Sequence, residues 1–274
     1  MHLLLARAAL LSPLKRPRPD AVAPSAPHVL SGVRVDLGRL AAYERVCGFA
    51  TGAEAMPVTY PQVLAFPLTL RVMASRAFPL PVLGLVHTSV EMTQRCTLPA
   101  TGEYELSVHV EGLSPHRRGT EATVVTGARR AGRLVWESRS TYLARHKTTG
   151  GAPGLRKTDP PLPALAQWRL ASDVGRRYGA VSGDRNPIHL YPLTARLFGY
   201  HRPIAHGMWT VARCLAELPA DGEFLTVRAE FKAPVLLPGT VTYAAEGSRF
   251  ELRGAEGDSM PGVHLTGEIQ TAPM

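Results

Sequence analysis

An acid and a base stand five residues apart in the second half of this chain. They are Asp184 and His189, within Tyr178-Gly-Ala-Val-Ser-Gly-Asp-Arg-Asn-Pro-Ile-His189. Between them Asn186-Pro187 stiffens the chain, since proline fixes its own φ and asparagine bonds backbone two residues on. A carboxylate and an imidazole held by one short rigid loop suit proton transfer on a small substrate. In isolation, Gly-Asp-x-Asn is also ordinary turn chemistry, and a histidine among Ile and Leu is commonly a satisfied core residue. The spacing of the pair, together with Ile204-Ala205-His206-Gly207-Met208 downstream, favours the catalytic reading.

Other residues group around the pair. Asn186 fits a positioning role through hydrogen bonds to backbone, and Ser182 either does the same or touches substrate. Gly207 falls in the first turn of an apolar segment, where unpaired N–H groups and the positive end of a helix dipole face outward. A missing side chain there admits a carbonyl, and the amide can stabilise oxyanion charge. His206 either contacts substrate or supports that glycine. No metal site is expected, because His201 and His206 have no carboxylate cluster near them in sequence. There is no Gly-x-Gly-x-x-Gly, no Walker loop and no Gly-x-Ser-x-Gly, so dinucleotide, nucleotide and serine-hydrolase chemistry are not implied. His87 is isolated and reads as structural. Arg196, His201 and Arg202 follow the loop and are either phosphate contacts or solvated surface charge.

The run from Tyr178 to His189 resembles the signature of the MaoC-like (R)-specific enoyl-CoA hydratases. Tyr178, Ser182, Gly183, Asp184, Asn186, Pro187, Ile188 and His189 occupy its fixed positions, and the Ile-Ala-His-Gly-Met segment follows at the distance that family shows. The resemblance implies an α+β double hotdog, two fused units each with a long helix against an antiparallel sheet. It implies a hydro-lyase without cofactor or metal, adding water across a trans-2-enoyl-CoA to give the (R)-3-hydroxyacyl product. Asp184 and His189 would hold the water, Gly207 would form the oxyanion hole, and Tyr178, Ser182, Asn186 and His206 would position them or the substrate. An acyl-carrier-protein (ACP) dehydratase of fatty-acid or polyketide synthesis shares this chemistry. A non-catalytic acyl-thioester-binding protein and a thioesterase are the alternatives from other classes.

The elements that must position these residues occur twice. Tyr43-Glu-Arg-Val-Cys-Gly-Phe49 aligns without gaps on Tyr178–Asp184, and 90–102 corresponds in length to 227–239, which indicates an internal duplication. Phe49 then stands where Asp184 stands in the second copy, so the first half is expected to be non-catalytic, and the family resemblance implies that it serves as a scaffold that widens the acyl pocket. Helices are expected at 35–48, 67–74, from 172, and 207–218, with Pro67 in a first turn. Strands are expected at 88–98, 104–111, 120–128 and 134–144, then 225–234, 239–246, 249–253 and 263–271. The expected organisation is an N-terminal extension over 1–30, a non-catalytic unit over 31–146, a Pro/Gly-rich linker over 147–163 and a catalytic unit over 164–274.

Bulk properties narrow the class. A hydrophobic content of 45% is ample for a buried core. Three widely spaced cysteines without a CxxC suggest reduced thiols in a cytoplasmic protein, and no apolar run is long enough to span a bilayer. The net charge of +9 is spread along the chain without a dense basic–aromatic block, so nucleic-acid binding is not expected. Such a diffuse field either suits a phosphorylated or acidic acyl carrier or reflects an arginine-rich proteome. A homodimer is compatible with the sequence.

Overall fold

Two copies of one plan build the molecule. The computed structural model describes residues 15, 23, 24, 26–148, 160–218, 224–255 and 262–271. The first copy runs β1 (His28–Arg34), α1 (Leu37–Cys47), α2 (Tyr60–Met73), β2 (Val86–Gln94), β3 (Glu103–His116), β4 (Gly119–Arg130) and β5 (Arg133–Arg145). The second runs β6 (Ala164–Leu170), α3 (Val174–Ser182), a 3-10 turn (Pro187–His189), α4 (Pro192–Arg196), α5 (Gly207–Leu215), β7 (Leu225–Phe231), β8 (Gly239–Glu246), β9 (Arg249–Gly254) and β10 (Val263–Thr271).

The ten strands form one antiparallel sheet in the order β1-β3-β4-β5-β2-β7-β10-β9-β8-β6. Each strand has its counterpart at the mirrored place, and β2 and β7 meet at the centre, with Val90 opposite Ala229 and Met92 opposite Val227. The segments expected to correspond therefore pair with one another. This is the double hotdog, with one continuous hydrophobic cluster running through both copies.

Helix chemistry repeats as well. Asp36 caps α1 by accepting the Arg39 N–H at 3.0 Å. The chain leaves α1 through Gly48 at φ 88° and leaves α3 through Gly183 at φ 84°, a left-handed conformation that side-chain-bearing residues adopt at a penalty. The helices pack against each other across the pseudo-twofold, with the Tyr43 and Tyr178 rings 6.0 Å apart. Arg39 Nε donates to Val181 O at 2.6 Å, and Trp209 Nε1 of α5 donates to Val46 O at 2.9 Å, so the halves interlock.

Among the departures from expectation, three elements show a physical reason. Strand β1 begins at His28, inside the expected extension, and its mostly exposed residues show no apolar alternation. Strand β6 escapes the same signal because it too lies at a sheet edge with one buried residue. Helix α2 starts at Tyr60, not Pro67, because Pro61 takes the first-turn place where a missing N–H costs nothing; Pro67 lies inside the helix. Most of the expected linker and extension lies outside the described residues.

Candidate active site

The connection from α1 to α2 spans residues 48–59, whereas that from α3 to α5 spans 183–206. The longer one carries the site, and its own polar side chains fix it. Ser182 Oγ accepts the Asp184 N–H at 3.1 Å, Asp184 Oδ1 accepts the Asn186 N–H at 3.1 Å, and Asn186 Oδ1 accepts the Ile188 N–H at 3.4 Å. Each bond spans two residues, which is the local turn chemistry of these side chains. The loop then presses on a glycine face of α3. A Cβ on Gly175 would lie 2.0 Å from His189 O, and one on Gly179 would lie 2.7 Å from Asp184 O. These two glycines occupy no fixed position of a motif in the sequence, and their spacing of four in an otherwise ordinary helix is the local signal.

Backbone carbonyls set the tautomers. His189 Nδ1 lies 2.7 Å from Ile204 O, and a carbonyl only accepts, so Nδ1 carries the proton and Nε2 keeps its lone pair. His206 Nε2 likewise donates to Asp184 O at 2.9 Å. The two imidazoles stack at 3.6 Å, and Tyr178 tilts against His206 at 4.8 Å. Burial lowers the pKa of His189 below the usual histidine value, against the opposing pull of Asp184. Burial also holds His206 well below it, with His189 adding to the effect. Both rings are therefore neutral near pH 7. The Asp184 side chain keeps 29% of its surface accessible, so water can reach it.

One carboxylate that lies far from His206 in sequence comes close to it in space. Ligand-type atoms of Asp184, His189 and His206 all lie within 4.8 Å of one another, because the loop folds back on the start of α5. The carbonyl bonds commit one nitrogen of each ring as a donor.

A cavity of about 970 Å³ takes in all seven predicted site residues: Tyr178, Ser182, Asp184, Asn186, His189, His206 and Gly207. The first half supplies the facing wall through Gln62, Val63, Phe66, Leu70 and Met73 of α2. Phe49, the counterpart of Asp184, is not among the lining residues and stacks against Tyr43 at 6.5 Å. Gly207 begins α5, where its N–H has no intrahelical acceptor. A Cβ there would lie 2.8 Å from Phe231 Cε1, so the glycine first of all accommodates this ring.

His87 also belongs to the cavity wall, contrary to its reading as an isolated residue. It stacks on Tyr142 at 4.5 Å and packs on Phe231 at 4.7 Å, linking the first half to the start of α5. Burial pushes its pKa down to about 3, and its Nε2 has no hydrogen-bond partner among the described residues. Nothing in the local sequence marks it. Arg196, His201 and Arg202 do not line the cavity, and Arg202 Nη1 donates to Pro238 O at 2.8 Å.

Comparison with known proteins gives the chain its relatives. The profile of the family described as "MaoC like domain" matches residues 156–260. The chain is 36% identical over 239 residues to 3-hydroxyacyl-thioester dehydratase X of Mycobacterium tuberculosis, covering 84% of each sequence. It superposes on the crystal structure of HtdX from the same organism with a TM-score of 0.79 and 31% identity, over 90% of this chain and 100% of that one. A further Mycobacterium tuberculosis structure described as a double hotdog fold gives a TM-score of 0.57 at 15% identity, over 90% of this chain and 96% of that one. That last likeness concerns the fold alone.

Proposed function

The chain belongs to the MaoC-like dehydratase family and is a hydro-lyase on acyl thioesters; on that footing we propose that Asp184 and His189 interconvert a trans-2-enoyl thioester and its (R)-3-hydroxyacyl counterpart. The single observation that carries this reading is the pairing of a reachable carboxylate with an imidazole whose bare Nε2 is fixed by the Ile204 carbonyl. Two acceptors side by side hold one water by its two hydrogens. In hydration its oxygen attacks C3, the C2–C3 π pair moves toward the thioester carbonyl, and Asp184 takes the proton released. The proton taken up by Asp184 then passes to C2 on the same face, while His189 Nε2 keeps the hydrogen bond from the remaining O–H. The Gly207 N–H, at the positive end of α5, stabilises the oxyanion of the enolate-like intermediate. Dehydration runs the same steps in reverse. A neutral His189 suits this scheme, since a protonated ring has no lone pair for the water.

The purified chain, given a trans-2-enoyl-CoA, is expected to bleach the conjugated enoyl-thioester absorbance and to form the (R)-3-hydroxyacyl product without releasing free thiol. No absorbance change with either CoA or ACP thioesters, or thiol release in its place, would overturn the assignment.

A further inference from the structure

Four arginines on the cavity wall, Arg117, Arg118, Arg145 and Arg185, are exposed and form no ion pair among the described residues. Some arginines elsewhere on the surface pair, Arg139 with Glu111 and Glu137, Arg228 with Glu91 and Arg213 with Glu217. Others, such as Arg76 and Arg130, form no ion pair among the described residues; what sets the four apart is that they line one cavity. None of the wall's three carboxylates pairs with these arginines: Glu121 accepts from the Thr88 hydroxyl, Asp184 accepts the Asn186 N–H, and Glu230 pairs with Lys232. Arg117 and Arg118 form the β3–β4 turn, and Arg145 ends β5 beside it, its backbone opposite Gly119. The backbone of that turn is pinned. The His146 N–H donates to Arg118 O at 3.1 Å, and Thr148 Oγ1 donates to Arg117 O at 2.6 Å. Three arginines thus line the cavity from a pinned turn and the strand end beside it, and Arg185 lines it from the catalytic loop. The corresponding turn in the second half, between β8 and β9, carries Glu246 beside Arg249 and has no such cluster.

We propose that Arg117, Arg118 and Arg145, with Arg185, bind a phosphate of the phosphopantetheine-bearing carrier, so that the half without the acid–base pair recognises the carrier. This rests on the acyl-thioester reading above. A guanidinium fork matches phosphate oxygens in a bidentate way. The depth of the groups assigns the ends of the substrate: the arginines are exposed at the rim, while Val63, Leu70 and Met73 are at most 6% exposed. The apolar wall receives the acyl chain, and the basic rim receives the anionic handle.

The test compares kcat/KM for one enoyl group carried by CoA with kcat/KM for the same group carried by N-acetylcysteamine, which has no phosphate. In the full chain bearing Arg117→Gln, Arg118→Gln and Arg145→Gln, the CoA-to-N-acetylcysteamine ratio is expected to fall about tenfold, through KM for the CoA ester; that corresponds to about 1.4 kcal/mol spread over three rim contacts. Should the triple variant not fold, Arg118→Gln alone and the salt dependence of the wild-type ratio serve instead, the ratio falling as salt screens the rim. An unchanged ratio overturns the proposal. So does an equal loss on both esters, which would indicate a structural role. Repeating the comparison with an ACP thioester identifies the source. Loss with CoA alone points to the phosphates specific to CoA, and loss with both points to the phosphate they share. Loss with the carrier protein alone assigns the arginines to an acidic protein surface and contradicts the proposal. If the wild type turns over neither ester, the failure lies in the proposed function, not in the rim.

Discussion

His189 and His206, stacked at 3.6 Å, are held neutral by burial, and His87 joins them on the wall of the same cavity. All three have native pKa values below the ordinary 6.5. In the unfolded chain they bind protons below about pH 6.5, while in the native state they do not, so stability rises with pH across that window. Stability is full above it and falls on acidification, by up to about 1.4 kcal/mol per pH unit for each histidine, with His87 contributing down to about pH 3. The unfolding midpoint is therefore expected to drop between pH 7 and pH 5, and His87→Leu should flatten that slope. A slope unchanged in His87→Leu would contradict the assignment of a buried neutral ring. The gathering of Asp184, His189 and His206 makes a second measurement informative. Hydration is expected to survive exhaustive EDTA treatment, because the proposed acid–base steps need only Asp184, His189 and one water. Activity lost to EDTA and restored by zinc would return these residues to a metal role.

At the scale of elements, the aligned glycines Gly48 and Gly183 show what duplication kept and what it changed. Both end a helix in the left-handed region, and only Gly183 leads into an acid. Gly48→Ala and Gly183→Ala should each destabilise the chain by about 1 kcal/mol or more, since an L side chain is strained there. Gly48→Ala carries an added conflict with Arg213 Nη1, 2.9 Å from the new Cβ. Only Gly183→Ala should also lower kcat, by displacing Asp184; an equal effect of both on turnover would dissociate the loop from the chemistry. The contrast also explains what was legible in sequence. Polar residues that bond their own backbone, as Ser182, Asp184 and Asn186 do, announce the loop directly. Apolar alternation announced β7 through β10. Edge strands β1 and β6 bury almost nothing and leave no pattern, and α2 was shortened because two prolines, Pro61 and Pro67, competed for one start. His87 and the hairpin arginines reach the site only through strand pairing in the other half, which no local signal encodes.

The whole molecule depends on the seam between β2 and β7. Removing the first half would bare the β7 edge, uncover the Tyr178 face of α3 and strip the cavity of its α2 wall. An expressed fragment covering residues 164–274 is expected to aggregate or to lack activity. A soluble, monomeric, active fragment would refute the interlocked pseudo-dimer. Among the described residues no helix is long and apolar enough to cross a membrane.

The central claim is that Asp184 and His189 act together on one water, and steady-state hydration of an enoyl-CoA by the folded variants tests it most directly. Asp184→Asn preserves size but removes the proton acceptor, and His189→Gln removes the fixed Nε2 lone pair. Each is expected to lower kcat by roughly two to four orders of magnitude with the circular dichroism spectrum unchanged. The double variant should be little worse than either single one, because the groups act as a unit. Near-normal hydration by a folded Asp184→Asn variant would contradict the account.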